Sequence, residues 1–150
     1  MRVVTMVCIL GVAIFLCAGA SNQDGWKKIE NSSFSFSIPS SFRKTGARGE
    51  DSFVEEYVTE RIKLSFDYGW YSNNFEDWPK DTKFEGLKVN GKDARIGTVA
   101  HAFHKGFPYS TQIHIKLDGG MALSMFAACK SEEEVALARK IFKTISFNAK

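Results

Sequence analysis

Three histidines are the first candidates for metal or acid–base chemistry. His101, His104 and His114 are the only histidines of the chain. A metal site needs two or three ligands that converge at about 2 Å from the ion. Residues three apart on a strand point to opposite faces, so His101 and His104 should not converge. His114 would lie across from His101 in one register of the predicted hairpin, which leaves open a metal site built on these two residues.

Nucleophilic and acid–base chemistry has little support in the sequence. Cys129 follows the apolar run Met121–Ala128, which predicts a buried and unreactive thiol. The chain lacks a Gly-x-Ser-x-Gly nucleophile elbow. Glu55 and Glu56 alternate across a predicted strand, whereas general acid–base work needs two acids aimed at one cleft. We therefore expect a protein that is not an enzyme and has no cofactor, with a small hydrolase that uses the strand histidines as the alternative.

Aromatic residues in a polar stretch are the best functional candidates. Four of them occur within nine positions: Trp70, Tyr71, Phe75 and Trp78. A second aromatic turn, 103–109, contains Phe107 and Tyr109 and could lie beside the first. Tryptophan and tyrosine dominate binding hot spots. The rings either form a surface that binds a protein or a small ligand, such as a sugar, or fold back to cap the sheet edge.

Composition and charge limit the classes of protein to consider. The chain has 150 residues, with 44% hydrophobic and 25% charged, which suits one globular domain and excludes disordered or collagen-like proteins. Its 13 phenylalanines predict a core rich in this residue. The net charge of +3 is too small to indicate a nucleic-acid partner.

The first twenty residues have the pattern of a secretory signal peptide. Met1-Arg2 is a positive start, Val3–Leu16 is apolar except for Thr5, and Ala18-Gly19-Ala20 offers small residues for cleavage. We expect cleavage after Ala20 and a secreted or periplasmic protein. Two alternatives are an uncleaved anchor of 18 residues, which barely spans a bilayer, and lipidation of Cys17. The membrane would then be a partner only through this segment.

Apolar and polar residues alternate in the first half of the remaining chain. Ser33–Ile38 alternates fully and predicts a strand that ends at Pro39. Phe53–Val58 and Arg61–Tyr68 predict a hairpin. Gly69–Asp81, which holds the four aromatic residues, breaks the alternation and predicts a long loop with a helical turn near its middle.

The second half predicts further hairpins. Phe84–Val89 and Ala94–His104 flank Asn90-Gly91, a strong signal for a tight turn because both residues accept positive φ. Residues 112–117 alternate again. Met121–Ala128 is apolar on both faces, which predicts a central strand covered on both sides.

The chain ends on a predicted helix. Ser131 is the expected N-cap, and Glu134 three residues later predicts a capping box. An apolar stripe follows at helical spacing: Val135, Ala138, Phe142 and Ile145. We therefore predict one α+β domain over residues 21–150. It consists of an antiparallel sheet of about six strands, flanked by a C-terminal helix, with or without one further helix.

Four short motifs occur in a fixed order: Trp26–Ile29, Phe34–Pro39, Val89–Ala94 and Lys143–Phe147. This order resembles that of the PsbP-like superfamily and its DcrB-like bacterial relatives, over most of residues 26–147. The resemblance implies an antiparallel sheet flanked by helices. It also implies an accessory, adaptor or binding protein of an exported or membrane-associated system. No catalytic residue is carried over, and the N-terminus does not resemble a thylakoid transit sequence, so a photosystem role is not expected.

Overall fold

The computed structural model describes residues 25–148, so the predicted signal peptide lies outside the described residues. The strands are β1 (Trp26–Glu30), β2 (Phe34–Pro39), β3 (Arg43–Lys44), β4 (Phe53–Val58), β5 (Ile62–Gly69), β6 (Lys83–Val89), β7 (Lys92–Val99), β8 (Tyr109–Lys116), β9 (Ala122–Cys129) and β10 (Ser146–Phe147). The helix α1 spans Glu132–Phe142, and a 3-10 turn spans Asp118–Gly120. Within 25–148, no helix is both long and apolar enough to cross a membrane.

The strands form two antiparallel sheets. The large sheet has seven strands in the order β3-β4-β5-β9-β8-β7-β6, and the small sheet has the order β1-β2-β10. The turn at Asn90-Gly91 has φ values of +50° and +79°, as the hairpin signal predicted. The predicted fold class is therefore confirmed: an antiparallel sheet flanked by a C-terminal helix, with six of the seven strands of the large sheet longer than two residues.

Strand β9 is central, as its two apolar faces predicted. It pairs with β5 on one side and with β8 on the other. Met125, for example, lies between Phe66 of β5 and Ile113 of β8, and all three side chains are buried. Alternate positions of β9 face the opposite side of the sheet, which the loop between β5 and β6 covers in part.

The core lies between the large sheet and a layer made of α1 and the small sheet. Phe34 and Phe36 of β2 place their rings 5.1 and 5.8 Å from the ring of Phe66 in β5. The apolar stripe of α1 is buried, including Ala138 and Phe142. Phenylalanine supplies five of the largest fully buried side chains, which agrees with the composition.

Two local predictions were wrong. The strand predicted over Ala94–His104 ends at Val99, because Phe103 leaves the sheet and places its ring 5.2 Å from that of Trp78. Ser131 is the N-cap of α1, but its hydroxyl donates to the Glu134 carboxylate and not to a backbone N–H. Arg61 also donates to this carboxylate, so the capping box is replaced by an ion-paired cluster.

Candidate functional site

The face of the large sheet opposite α1 carries a polar row across four neighbouring strands. In register, Asp67 of β5 lies beside Ser124 of β9, Ser124 beside His114 of β8, and His114 beside Arg95 of β7. Directly paired residues of antiparallel strands project to the same face. The alternation of these strands therefore brings four polar side chains together that are far apart in sequence.

Loop 70–82 lies on this face and is bonded to it through one backbone carbonyl. The oxygen of Asn73 accepts from Gln112 Nε2 at 3.0 Å, from His114 Nδ1 at 3.0 Å and from Ser124 Oγ at 2.6 Å. Because a carbonyl can only accept, His114 carries its proton on Nδ1. Ser72 adds a hydroxyl contact of 2.6 Å to Ser124. The loop backbone is therefore fixed to β8 and β9.

Phe75 anchors the next part of loop 70–82. Its side chain is only 7% exposed, and its backbone has a φ of +77°. The ring fills the space above Gly97 of β7, where an added Cβ would lie 2.7 Å from the Phe75 ring. The rings of Trp78 and Phe84 lie 5.0 and 5.2 Å away, in edge-to-face arrangements. Phe75 therefore caps the sheet, which is one of the two alternatives that the sequence left open.

Trp70 and Tyr71 are instead exposed to solvent. They are 63% and 82% exposed, whereas Trp78 is half-buried. The ring of Trp70 lies over Gly120 at the end of the 3-10 turn, 3.2 Å from the position that a Cβ would take there. The loop thus presents its first two rings to solvent and uses Phe75 for packing.

The second aromatic turn reaches loop 70–82 through Phe103. Phe107 is only 9% exposed, and its ring lies 5.7 and 5.8 Å from the Nζ atoms of Lys63 and Lys130. Tyr109 is half-buried and packs against the main core. The contacts of Phe107 and Tyr109 therefore lie away from loop 70–82.

A cavity of about 450 Å³ lies beside Trp78, on the same face of the sheet. Trp78, Phe103 and Phe126 provide aromatic walls, and Asp67, Gln112 and Ser124 are among its polar lining. The Oδ1 atom of Asp67 is shielded from solvent and has no hydrogen-bond partner among the described residues. A buried carboxylate oxygen without a donor is unfavourable. The cavity is therefore lined by aromatic rings and by an acidic residue that has one unsatisfied oxygen.

The histidines do not form the pair that one hairpin register would have produced. His114 lies opposite Arg95, and His101 lies beyond the end of β7. Burial lowers the pKa of His114 below its ordinary value of 6.5, and its bond to the Asn73 carbonyl only partly opposes this. Within residues 25–148, no group of three or more His, Cys, Asp or Glu side chains is arranged to hold a metal ion.

The two potential nucleophiles, Cys129 and Ser124, have structural roles. Cys129 is fully buried, and burial together with the charge of Glu134 raises the pKa of its thiol to about 12. The thiolate needed for attack is therefore scarce at neutral pH. Ser124 contacts His114 Nδ1 at 2.9 Å, but its hydroxyl proton is donated to the Asn73 carbonyl. The Ser124–His114 pair thus fixes the loop.

Sequence reasoning missed the sheet residues of this site. Asp67 and Gln112 occupy polar positions of alternating strands, where solvent-facing side chains are usual, and Ser124 interrupts an otherwise apolar run. Alternation places Asp67 and Gln112 on the face of their own strands that points away from the core, but the pairing that aligns them with Ser124 is not visible in the sequence.

No family model matches the chain, and no curated protein matches its sequence. The resemblance to the PsbP-like superfamily therefore stays a prediction.

Proposed function

We propose that the protein is an exported, non-enzymatic accessory protein that binds a partner through Trp70 and Tyr71. One observation carries this proposal: two large rings, 63% and 82% exposed, are adjacent on a loop whose backbone is bonded to the sheet. Exposed aromatic residues are enriched where proteins bind their partners.

The fixed loop supports a binding role because order in the free protein reduces the cost of association. Ordering a mobile loop at an interface consumes part of the binding free energy. Here the Asn73 carbonyl accepts three hydrogen bonds, and Phe75 is buried against Gly97. Trp70 and Tyr71 follow β5 directly, so both ends of their segment are held.

A non-catalytic role is supported by the state of the potential nucleophiles. The Cys129 thiol has a pKa raised to about 12, and the Ser124 hydroxyl is committed to the loop. The alternative of a hydrolase or metal-binding protein built on His101 and His114 has less support, because the register places Arg95 opposite His114.

Export is supported by the sequence of residues 1–20. We expect the mature protein to begin at Ser21, because Ala18-Gly19-Ala20 provides small residues for a signal peptidase. N-terminal sequencing and intact-mass measurement of the protein from its source cells test this. Retention of Met1–Ala20 in a membrane fraction, or a lipid on Cys17, would contradict it.

The binding surface is tested by cross-linked capture from the extracytoplasmic fraction of the source cells. The wild-type protein is compared with a Trp70→Ala/Tyr71→Ala variant and with Phe53→Ala, which changes an exposed aromatic residue outside the loop. We expect the double variant to lose the captured partner and Phe53→Ala to retain it. Each lost ring should weaken binding by about 1–4 kcal/mol. Equal capture by all three folded proteins would contradict the proposal.

A further inference from the structure

We propose that the cavity beside Trp78 binds a small organic cation with a primary ammonium group and an apolar body. Asp67 is the counter-charge, and the aromatic walls enclose the apolar body. This inference goes beyond the proposed function, because Trp70 and Tyr71 do not line the cavity. The two ideas can therefore fail separately.

The charges of the lining select a cation. Asp67 and Asp77 line the cavity, and its lining contains no lysine, arginine or histidine. Asp67 Oδ1 is shielded from solvent without a donor from the described residues. The Asp67 carboxylate forms a charge-assisted hydrogen bond with an ammonium N–H that approaches from the cavity, either through its other oxygen or after a rotation that turns Oδ1 toward the ligand. An anionic ligand would instead meet two carboxylates.

The hydrogen-bonding groups favour an ammonium ion with N–H donors over a quaternary one. Gln112 commits its Nε2 donor to the Asn73 carbonyl at 3.0 Å, which leaves its Oε1 to accept. The lining of the cavity thus offers two side chains that can accept from an ammonium group, Asp67 and Gln112. A quaternary ammonium has no N–H and can donate a hydrogen bond to neither Asp67 nor Gln112.

The walls suit both the charge and the body of such a ligand. The ring of Phe103 lies 5.2 Å from that of Trp78 and 6.0 Å from that of Phe126, and the rings of Trp78 and Phe126 are 6.3 Å apart. The three rings thus form an aromatic corner. Aromatic faces attract cations through their quadrupole and also cover apolar groups. A volume of about 450 Å³ lies in the lower part of the range for small-molecule sites.

Four probes with the same phenylethyl body separate these contributions. The protein, expressed from its full sequence and purified, is titrated with 2-phenylethylamine, 2-phenylethanol, 3-phenylpropionate and trimethyl(2-phenylethyl)ammonium by calorimetry and NMR. We expect the amine to bind at least tenfold more tightly than the alcohol, the carboxylate and the trimethyl compound. Alcohol or trimethyl compound binding as tightly as the amine, or no amine binding at millimolar concentration, would overturn the proposal.

Variants place the binding at this cavity. Asp67→Asn keeps the shape of the side chain and should reduce amine affinity at least tenfold, whereas Asp93→Asn, at an exposed carboxylate on β7, should leave it unchanged. Phe103→Leu removes one aromatic wall at a partly exposed position and should also weaken amine binding. This second variant tests the proposal even if Asp67→Asn does not fold. Unchanged affinity in either cavity variant contradicts the proposal. Trp70→Ala/Tyr71→Ala should bind the amine normally, whatever its effect on the partner.

Discussion

Phe75 and Tyr71 lie four positions apart in loop 70–82 and have opposite roles. Phe75 is 7% exposed and Tyr71 is 82% exposed. Phe75→Ala should lower the free energy of unfolding by about 3–5 kcal/mol, because it empties a packed site. Tyr71→Ala should change it by about 0.5 kcal/mol or less, as at other surface positions. Chemical denaturation of the two variants measures both values.

The comparison of these two variants also tests the loop itself. Both replace a large ring by alanine in the same segment, so Tyr71→Ala is the matched control for Phe75→Ala. Similar losses of stability in the two variants would show that Phe75 is not buried, or Tyr71 not exposed, in the way described above.

His114 should make stability depend on pH. Burial lowers its folded-state pKa below 6.5, so between the two pKa values the unfolded chain binds more protons than the folded one. The contribution of His114 is therefore complete above pH 6.5 and declines as the pH falls through this value. We expect the free energy of unfolding of the wild-type protein to fall from pH 7.5 to pH 5 more steeply than that of His114→Gln.

The control for His114 is His101→Gln, which changes an exposed histidine outside the Asn73 network. It should keep the wild-type dependence on pH. If the free energy of unfolding depends on pH in the same way for the wild-type protein and for His114→Gln, a buried, neutral His114 is not the cause of the pH dependence.

The sequence predicted which residue types matter better than it predicted their roles. The cluster of Trp70, Tyr71, Phe75 and Trp78 is visible as a pattern, and two of these rings are exposed as the binding alternative requires. The group that fixes the loop is the backbone carbonyl of Asn73. Every residue has such a carbonyl, so side-chain identities carry no signal for it.

At the scale of elements, Gly97 is the position of strand β7 on which loop 70–82 packs. A Cβ at this position would lie 2.7 Å from the Phe75 ring and 3.1 Å from that of Phe84. Gly97→Ala should therefore lower stability by about 1–3 kcal/mol, as overpacking does. It should also speed proteolytic cleavage within loop 70–82, because the ring must move outward. Denaturation and limited proteolysis followed by mass spectrometry measure the two effects.

Gly86 of the neighbouring strand β6 is the control. It pairs with Arg95 on the same face, and a Cβ there would meet no atom within 4 Å. Gly86→Ala should be neutral or stabilise the protein by about 0.4–1 kcal/mol, because it restricts the unfolded chain. If both variants behave alike, steric contact with Phe75 is not what sets the position of the loop.

Strands with an extended sequence pattern, whether alternating or continuously apolar, could be predicted, and shorter ones could not. β4 and the central β9 were predicted because their patterns extend over six and eight residues. β3 has only two residues, too few for a period to appear. The end of β7 was missed because a contact distant in sequence, between Phe103 and Trp78, draws the chain away from the sheet.

At the scale of the whole molecule, the core should stabilise the protein without a metal. Five phenylalanines are among its largest fully buried side chains, and no metal-binding cluster occurs among residues 25–148. We expect the melting temperature to be the same with and without EDTA. A metal bound only to the native state would add stability, about 2.7 kcal/mol at a concentration of 100 times Kd. A decrease with EDTA that zinc reverses would therefore contradict this prediction.

Both edges of the large sheet are protected against strand addition. At one edge, β6 carries Lys83, Glu85 and Lys88, and charged side chains discourage another chain from extending the hydrogen-bond ladder. At the other edge, β3 has two residues, and Lys44 is paired with Glu55 of β4. Strand addition at these two edges is therefore disfavoured, which favours recognition through side chains such as those of Trp70 and Tyr71. The same edges hinder polymerisation of this protein at high concentration.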